Sequence, residues 1–455
     1  MSDGRRPIVA AGAWRTAGAA AVLALAAGCG NTLMPTPVGF DRDGADPFAA
    51  TPEADRRTTV RLFVATTREV DPKAPLATRF STRRSDQMHL ATLDVRIGGD
   101  DLDWDRLVDV SRRVGRQDGP ELRLTAIDDF GPATTEPLRI GSEPIPDGDV
   151  TRRFGTALDE AIARGTSGDA YVFLHGFNTD VPGNAAVGAE LFHYLSRDGA
   201  FILFEWPSRD SVFDYDADKY AAAASTRHFR RFLEELSTGT SVRRIHILAH
   251  SAGAPVAVQA LQQLSLMNWE SEPAQVRRKL RLGRLVLVAP DMDLGDFRDA
   301  VADRATELPE RVTLYVSSRD RALDISAWIA GFTRLGRPLD VLTPKQIAFL
   351  EDDANVDLVD VGDAERTLGS WLGHSYFHED PWVSTDVLLT LSTERHPLDR
   401  GLQRDPTRNL YVFGPAYPAR ARDSARAAEA DRASAASKAA PATPAAPAPA
   451  PGAGR

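Results

Sequence analysis

Ile245-His246-Ile247-Leu248-Ala249-His250-Ser251-Ala252-Gly253-Ala254 is the stretch from which the rest of the chain is best read. Its first four residues form an apolar run typical of a short buried strand. The run breaks at a serine set among small residues, and a helix-like apolar stretch follows from Ala254. This is the layout of a nucleophile elbow, a sharp strand-to-helix turn that lifts a serine Oγ above the edge of a parallel sheet. So tight a turn needs small residues two places before and two places after the serine. Ala249 and Gly253 occupy those places; the usual pattern has glycine at both, so Ala249 departs from it by one methyl group.

The surroundings of the elbow decide its worth. Apolar runs bounded by turn residues recur at Ala170 to Leu174, Ala200 to Phe204, Arg244 to Leu248, Arg284 to Val288, Val312 to Val316 and Val356 to Val361. Helical patterns lie between them, clearest from Asp216 to Leu236, where Tyr220, Phe229, Phe232, Leu233 and Leu236 approximate one apolar face. Alternating strands and helices imply right-handed crossovers and a parallel sheet covered on both faces. Two earlier segments, Val60 to Ala65 and Leu90 to Val95, alternate with period two and are expected to be antiparallel edge strands. The stretch between them and Gly168 is expected to be rich in loops. The fold class is therefore α/β, a mostly parallel sheet with antiparallel N-terminal edge strands. Ligands of such sheets bind beyond the carboxyl ends of the strands.

Those strand ends carry a coherent set of residues. Leu174 is followed by His175-Gly176-Phe177-Asn178, a turn that aims a backbone N–H, that of Phe177, toward a reacting carbonyl. The N–H of Ala252, directly after the serine, is the natural second donor of an oxyanion hole. Val316 is followed by Ser317-Ser318-Arg319-Asp320, and Val288 by Ala289-Pro290-Asp291. Either aspartate could hold an imidazole in the required tautomer; chain order favours Asp320, with Asp291 as the alternative. After the last strand comes Gly373-His374-Ser375-Tyr376-Phe377-His378, in which His374 is the candidate base and His378 an accessory or surface residue. His374, His378 and Glu379 lack the further ligands a metal site needs, so no metal and no organic cofactor is expected. His175, Asn178, Trp206, Tyr215 and His250 are candidate pocket residues, with Trp206 and Tyr215 equally open to packing the start of the next helix, and Arg68, left unassigned, could line the site or pair with an acid. The segment Arg321 to Asn355, with Trp328, Ile329, Phe332 and Phe349, reads either as a small cap or as the helix between the last two strands.

Composition and the two ends set the context. The chain has 455 residues, 26% charged and 43% hydrophobic, ordinary for a globular protein with ample core. Its net charge of −10 argues against nucleic-acid binding, because no basic surplus is available for phosphates. Residues 1–29 read as a signal segment: Arg5, Arg6 and Arg15 precede an apolar run from Ala17 to Ala27, which ends at Ala26-Ala27-Gly28-Cys29. Cys29, the only cysteine, stands where a bacterial lipoprotein would be processed and lipidated. The expectation is an exported protein, periplasmic or associated with the outer membrane, held through an N-terminal lipid anchor. Residues 30–57 are expected to be a flexible tether, 58–416 the folded domain, and 417–455 a disordered Ala/Pro-rich tail.

From about Val60 to Phe377 the chain resembles a bacterial branch of the α/β-hydrolases known as esterase- or lipase-like domains of unknown function. The resemblance rests on Ala65-Thr66-Thr67-Arg68, His175-Gly176-Phe177-Asn178, Trp206-Pro207-Ser208, Ala249-His250-Ser251-Ala252-Gly253, Ala289-Pro290-Asp291, Ser318 to Leu323 and Gly373-His374-Ser375-Tyr376. The order Ser251, Asp320, His374 is that of this fold and differs from the chymotrypsin and subtilisin orders. Relatives commonly carry methionine where this chain has Ala252. The resemblance implies Ser-His-Asp catalysis on an acyl substrate and names no particular one. A small carboxylic ester is expected because its alkoxide leaves with less help than an amine; amidase, peptidase or acyltransferase chemistry would use the same residues. The alternative from another class is a catalytically silent binding protein of the cell envelope.

Overall fold

The computed structural model describes residues 31–116, 119–133, 149–209, 215–317, 355–364, 374–408 and 410–439. Among these residues eleven strands form one sheet: β1 (Thr59–Val70), β2 (Phe80–Ile97), β3 (Leu122–Pro132), β4 (Asp169–Leu174), β5 (Ala200–Glu205), β6 (Arg244–His250), β7 (Leu282–Val288), β8 (Arg311–Val316), β9 (Val356–Asp360), β10 (Gln403–Asp405) and β11 (Leu410–Val412). The helices used below are α1 (Trp104–Ser111), α2 (Val150–Arg164), α3 (Val181–Tyr194), α4 (Tyr215–Gly239), α5 (Gly253–Met267), α6 (Pro273–Leu280), α7 (Leu294–Ala302), α8 (Pro381–Ser392) and α9 (Tyr417–Ala439).

The strand order is β10-β11-β9-β8-β7-β6-β4-β5-β1-β2-β3. Neighbours from β11 through to β1 are parallel, while β2, β3 and β10 are antiparallel additions. β4 lies between β5 and β6, so the chain steps first to one side of it and then to the other. Such a reversal opens a crevice where the loops after neighbouring strands part company. The register pairs Leu174 with Ala249, which sets the residues after β4 directly beside those after β6.

Strand residues alternate between two cores, as the period-two geometry of a strand requires. Ala65, Val172, Leu174, Ile247, Ala249, Leu285 and Leu287 face one layer, covered by α2, α4, α5 and α7. Val64, Tyr171, Phe173, Leu248, Val286, Val288 and Tyr315 face the other, covered by α3, α8, α9 and the N-terminal residues. The central strands are buried on both sides, which explains their nearly continuous apolar runs.

Several expectations need correction. β1 is not at the edge: it pairs antiparallel with β2 but parallel with β5, and the edge belongs to β3. The stretch before Gly168, expected to be loops, supplies β3, α1 and α2. Tyr220, assigned to the apolar face of α4, is 79% exposed, while Phe229, Phe232, Leu233 and Leu236 are buried as expected.

Nor is the segment before β1 a flexible tether. Leu33, Met34, Phe40 and Phe48 are buried in the second core, and Val38–Phe40, Pro47–Ala50 and Glu53–Asp55 are short 3-10 turns. The expected disordered tail begins instead with α9. Tyr417, Ala421, Ala425 and Ala428 repeat at helical spacing and are buried. Small side chains on that face allow a close approach: a Cβ on Gly39 would lie 3.4 Å from the Ala425 Cβ. Asp41, 1% exposed, takes hydrogen bonds from the Arg422 guanidinium, so the two segments hold each other.

The signal segment and Cys29, the tail from 440 onward and the possible cap all lie outside the described residues, apart from Asn355 at the end of the cap segment. Among the described residues, no helix is long and apolar enough to cross a membrane.

Candidate active site

At the end of β6 the backbone turns sharply. Ser251 has φ +52°, a left-handed conformation that costs a side-chain-bearing residue on the order of 1 kcal/mol and is retained only where the surroundings enforce it. Here the end of β7 does so. The Ser251 N–H donates to Val288 O at 2.9 Å, and the Asp291 N–H donates to Ser251 O at 3.1 Å. Ala252 then starts the turn into α5, whose Ala254, Val256, Ala257, Val258, Ala260 and Leu261 are all buried. Gly253 has no room for a side chain: a Cβ would stand 2.6 Å from Leu174 O and 2.7 Å from His175 O. Ala249, with its extra methyl, is tolerated because it points into the packed core and not at the turn.

His374 Nε2 lies 2.9 Å from Ser251 Oγ, within hydrogen-bond reach of the hydroxyl whose proton a base would take. His374 is held from its own segment. Just beyond it, the Tyr376 hydroxyl donates to Tyr315 O at 3.0 Å and accepts from the Ala289 N–H at 3.0 Å, joining it to the ends of β8 and β7. His378, four residues on, is neither free nor at the serine. Its Nδ1 is 2.8 Å from Glu190 Oε1, and Glu190 Oε2 accepts the Met34 N–H at 2.8 Å. Burial pulls the His378 pKa down, but the hydrogen bond and charge of Glu190 outweigh it and hold the value above the ordinary one.

The loop after β4 runs alongside the elbow. A Cβ on Gly176 would meet Ser251 Cβ at 3.1 Å and His250 Nδ1 at 2.9 Å, so only glycine lets the two segments approach this closely. Phe177 and Asn178 follow, half-buried, and Asn178 adopts φ +56°. The Asn178 N–H is bonded to the Asp218 carboxylate, which also takes the Ser208 hydroxyl at 2.7 Å. Burial raises the Asp218 pKa above the usual carboxylate value despite these bonds.

Beneath the loop lies a buried polar network in which Arg68 pairs with an acid, Glu205. Glu205, at the end of β5, accepts from Arg68 Nε at 3.2 Å and from Asn184 Nδ2 at 3.2 Å. Its Oε2 is 3.3 Å from His175 Nε2. Arg68 also donates to Ser208 O at 3.1 Å, and His175 Nδ1 lies 2.8 Å from Gly176 O. Burial alone would raise the Glu205 pKa; His175, Arg68 and Asn184 overcome that and keep it below the usual value. A lone glutamate closing the apolar run Phe201-Ile202-Leu203-Phe204 was the available signal, since a charge entering a core needs a partner.

Two candidate pocket residues are corrected here. Trp206 is fully buried, stacked on His175 at 4.6 Å, with its indole N–H donating to His175 O at 3.1 Å. His175 is 1% exposed. Both support the loop from below, where the network holds it, and neither is a wall of the crevice. His250 is also buried, between the loop and His374. Tyr215 begins α4, but its side chain, like Asp320, lies outside the described residues. Asp291 is 7% exposed and lines a cavity of about 120 Å³ beside Ala252, together with Met292, Pro255 and Lys219.

A family described as "Alpha/beta hydrolase of unknown function (DUF900)" matches residues 152–395, more than half of the chain. The chain belongs to that family. The matched stretch of this α/β-hydrolase contains Ser251, Asp291, Asp320 and His374, while Arg68 and the antiparallel strands precede it. An uncharacterised Nostoc protein, alr1448, is 28% identical over 82 residues, which make up 18% of this chain and 21% of that protein. The α/β-hydrolase therefore matches only about a fifth of that relative's length. A solved structure of an inhibited esterase B from Lactobacillus rhamnosis is 14% identical, covering 49% of this chain and 77% of the esterase. Its TM-score is 0.29.

Proposed function

We propose that this α/β-hydrolase cleaves a carboxylic ester through a Ser-His-Asp triad and an acyl-enzyme intermediate. The observation that carries the reading is the 2.9 Å approach of His374 Nε2 to Ser251 Oγ, at a serine held in a strained left-handed turn. Ser251 attacks the substrate carbonyl as His374 removes its proton. The oxyanion that forms is bound by the N–H groups of Phe177 and Ala252. His374 then returns the proton to the leaving alkoxide, and water resolves the acyl-enzyme by the same route in reverse. Asp320 orients His374 in this scheme, with Asp291 as the alternative acid. An ester is favoured over an amide because an alkoxide leaves with less assistance than an amine. The same reading puts the enzyme at a bacterial cell envelope, anchored through lipidated Cys29.

The test is labelling with a fluorophosphonate probe, followed by hydrolysis of p-nitrophenyl esters of increasing acyl length. Label should enter the parent and be absent from Ser251→Ala, and kcat should fall by a factor on the order of 10⁴ in that variant. A parent that takes no label at Ser251 would instead be a silent binding protein. Comparing Asp320→Asn with Asp291→Asn identifies the acid, because the triad member gives the larger loss.

A further inference from the structure

Three parts of the site converge on one side chain that no step of the proposed reaction uses. His250 immediately precedes Ser251 and is 9% exposed. Its Nε2 lies 3.0 Å from the backbone carbonyl oxygen of His374. A carbonyl only accepts, so Nε2 must carry the proton and donate it. The other edge of the ring faces Gly176 in the loop after β4, where any Cβ would come within 2.9 Å of Nδ1. The ring is tilted by 51° against that of His374 and by 40° against that of Phe377, with ring centroids 4.9 Å apart in both pairs.

We propose that His250 is a positioning residue for the base: its Nε2–H, donated to the His374 carbonyl, fixes where the His374 ring stands relative to Ser251. The inference rests on Ser251 and His374 being the catalytic pair. Its physical content is a short route between nucleophile and base. Ser251 and His374 come from distant parts of the chain and from different elements. Tyr376 anchors the base's segment two residues further on, at the ends of β7 and β8. The His250 bond anchors it at the base itself, from the residue next to the nucleophile. With both points held, the His374 backbone has little freedom to carry the ring away from Oγ, and small displacements of reacting groups are costly.

His250 is suited to this task because it stays neutral. Burial, followed by the neighbouring charge of His374, pushes its pKa well below the ordinary value. A neutral ring donates from Nε2 without setting a second positive charge against the imidazolium that His374 becomes during the reaction. An amide with a donor at the same reach should do likewise, whereas an aromatic ring without a donor should not.

Two experiments on the full-length protein test the proposal. In the first, His250→Phe keeps the flat ring but loses the donor, and His250→Gln supplies an amide N–H near the position of Nε2. His250→Phe should lower kcat and the rate of fluorophosphonate labelling about tenfold with KM within about twofold, and His250→Gln should recover most of that loss. Parent-like turnover in His250→Phe overturns the inference, as does equal loss in both variants. In the second, nitrogen NMR of the ¹⁵N-histidine-labelled parent should find His250 as the Nε2–H tautomer at neutral pH. An Nδ1–H tautomer overturns the inference even if neither variant folds. A parent that takes no label at Ser251 marks failure of the functional reading itself; a labelled parent matched by His250→Phe marks failure of this inference alone.

Discussion

Gly253→Ala puts the geometry of the elbow under direct test. The added Cβ would sit 2.6 Å from Leu174 O and 2.7 Å from His175 O. Both oxygens are backbone atoms, one at the end of β4 and the other at the start of the loop that carries Phe177, so no side chain can rotate away. Reaching an acceptable carbon–oxygen separation requires α5 and that loop to part by roughly half an ångström in a tightly packed interior. Overpacking of this kind costs about 1–3 kcal/mol of stability. The same displacement separates the N–H of Ala252 from that of Phe177, the two donors proposed to share one oxyanion. Because about 1 Å of misplacement can cost a factor on the order of 10², half of that should lower the acylation rate roughly tenfold.

The assay is a pair of measurements on one preparation: the urea unfolding midpoint by circular dichroism, and the rate constant for fluorophosphonate labelling in the folded protein. Gly239→Ala is the matched control. It lies at the exposed end of α4 with nothing within 4 Å of its Cβ, and should be neutral or slightly stabilising. A Gly253→Ala protein with the parent midpoint and the parent labelling rate would refute the reasoning, since the contacts invoked would then carry no strain.

Three further outcomes follow from burial and charge elsewhere. Burial, with Arg84, Arg227 and Arg231 adding to it, pulls the His228 pKa from 6.5 down to about 4. The folded state therefore resists a proton that the unfolded chain accepts, so stability is intact above pH 6.5 and declines as pH falls toward 4, by about 3 kcal/mol at most; urea midpoints of the parent should drop over that range more steeply than those of His228→Gln. Arg400 and Asp386, 2% and 0% exposed, are joined by two bonds of 2.9 and 3.0 Å, and Asp386 also accepts the Tyr315 hydroxyl at 2.6 Å. Arg400→Met leaves that carboxylate buried with its cation gone and should cost about 3–5 kcal/mol by urea unfolding, whereas a loss under 1 kcal/mol would contradict the pairing. Phe48, buried against His193 at 4.5 Å and Tyr194 at 5.7 Å, should cost about 3–5 kcal/mol when changed to alanine; a negligible cost would restore the flexible tether.

What the sequence made legible followed the strength of local patterning. The strands β4 to β9 announce themselves because burial on both faces demands unbroken apolar runs, and the elbow because its turn tolerates only small residues around Ser251. Leu122 to Pro132 was passed over because β3 is an edge strand with one solvated face, so Arg123, Thr125, Asp128 and Asp129 dilute its pattern. The helix at Tyr417–Ala439 was missed for the opposite reason. In so Ala-rich a segment no face stands out as apolar, yet a strip of alanine permits close packing of backbone against backbone. Among the candidate residues, Ser251 stands out as the serine that closes a strand with small residues two places to either side, and His374 as the histidine directly after a glycine beyond the last of the strands read from the sequence; the fold brings the two together. His175 and Trp206 were placed at the correct strand ends but given an outward role. Nothing in their spacing reveals that Glu205, itself paired with Arg68, draws the histidine inward, since Glu205 and Arg68 come from β5 and β1 and meet only in the folded sheet.

The clasp between Asp41 and Arg422 has a consequence for how the chain comes together. One partner is among the first residues of the folded body, the other is in its last helix, and the separation is 381 positions. Contacts of such long range form late, because the loop between them must close before they are rewarded. A ribosome delivers Leu33, Met34, Phe40 and Phe48 long before α9 exists to enclose that corner. One face of the β-sheet therefore waits, partly uncovered, until the first turns of α9 are made and Arg422 fastens this helix to the segment before β1.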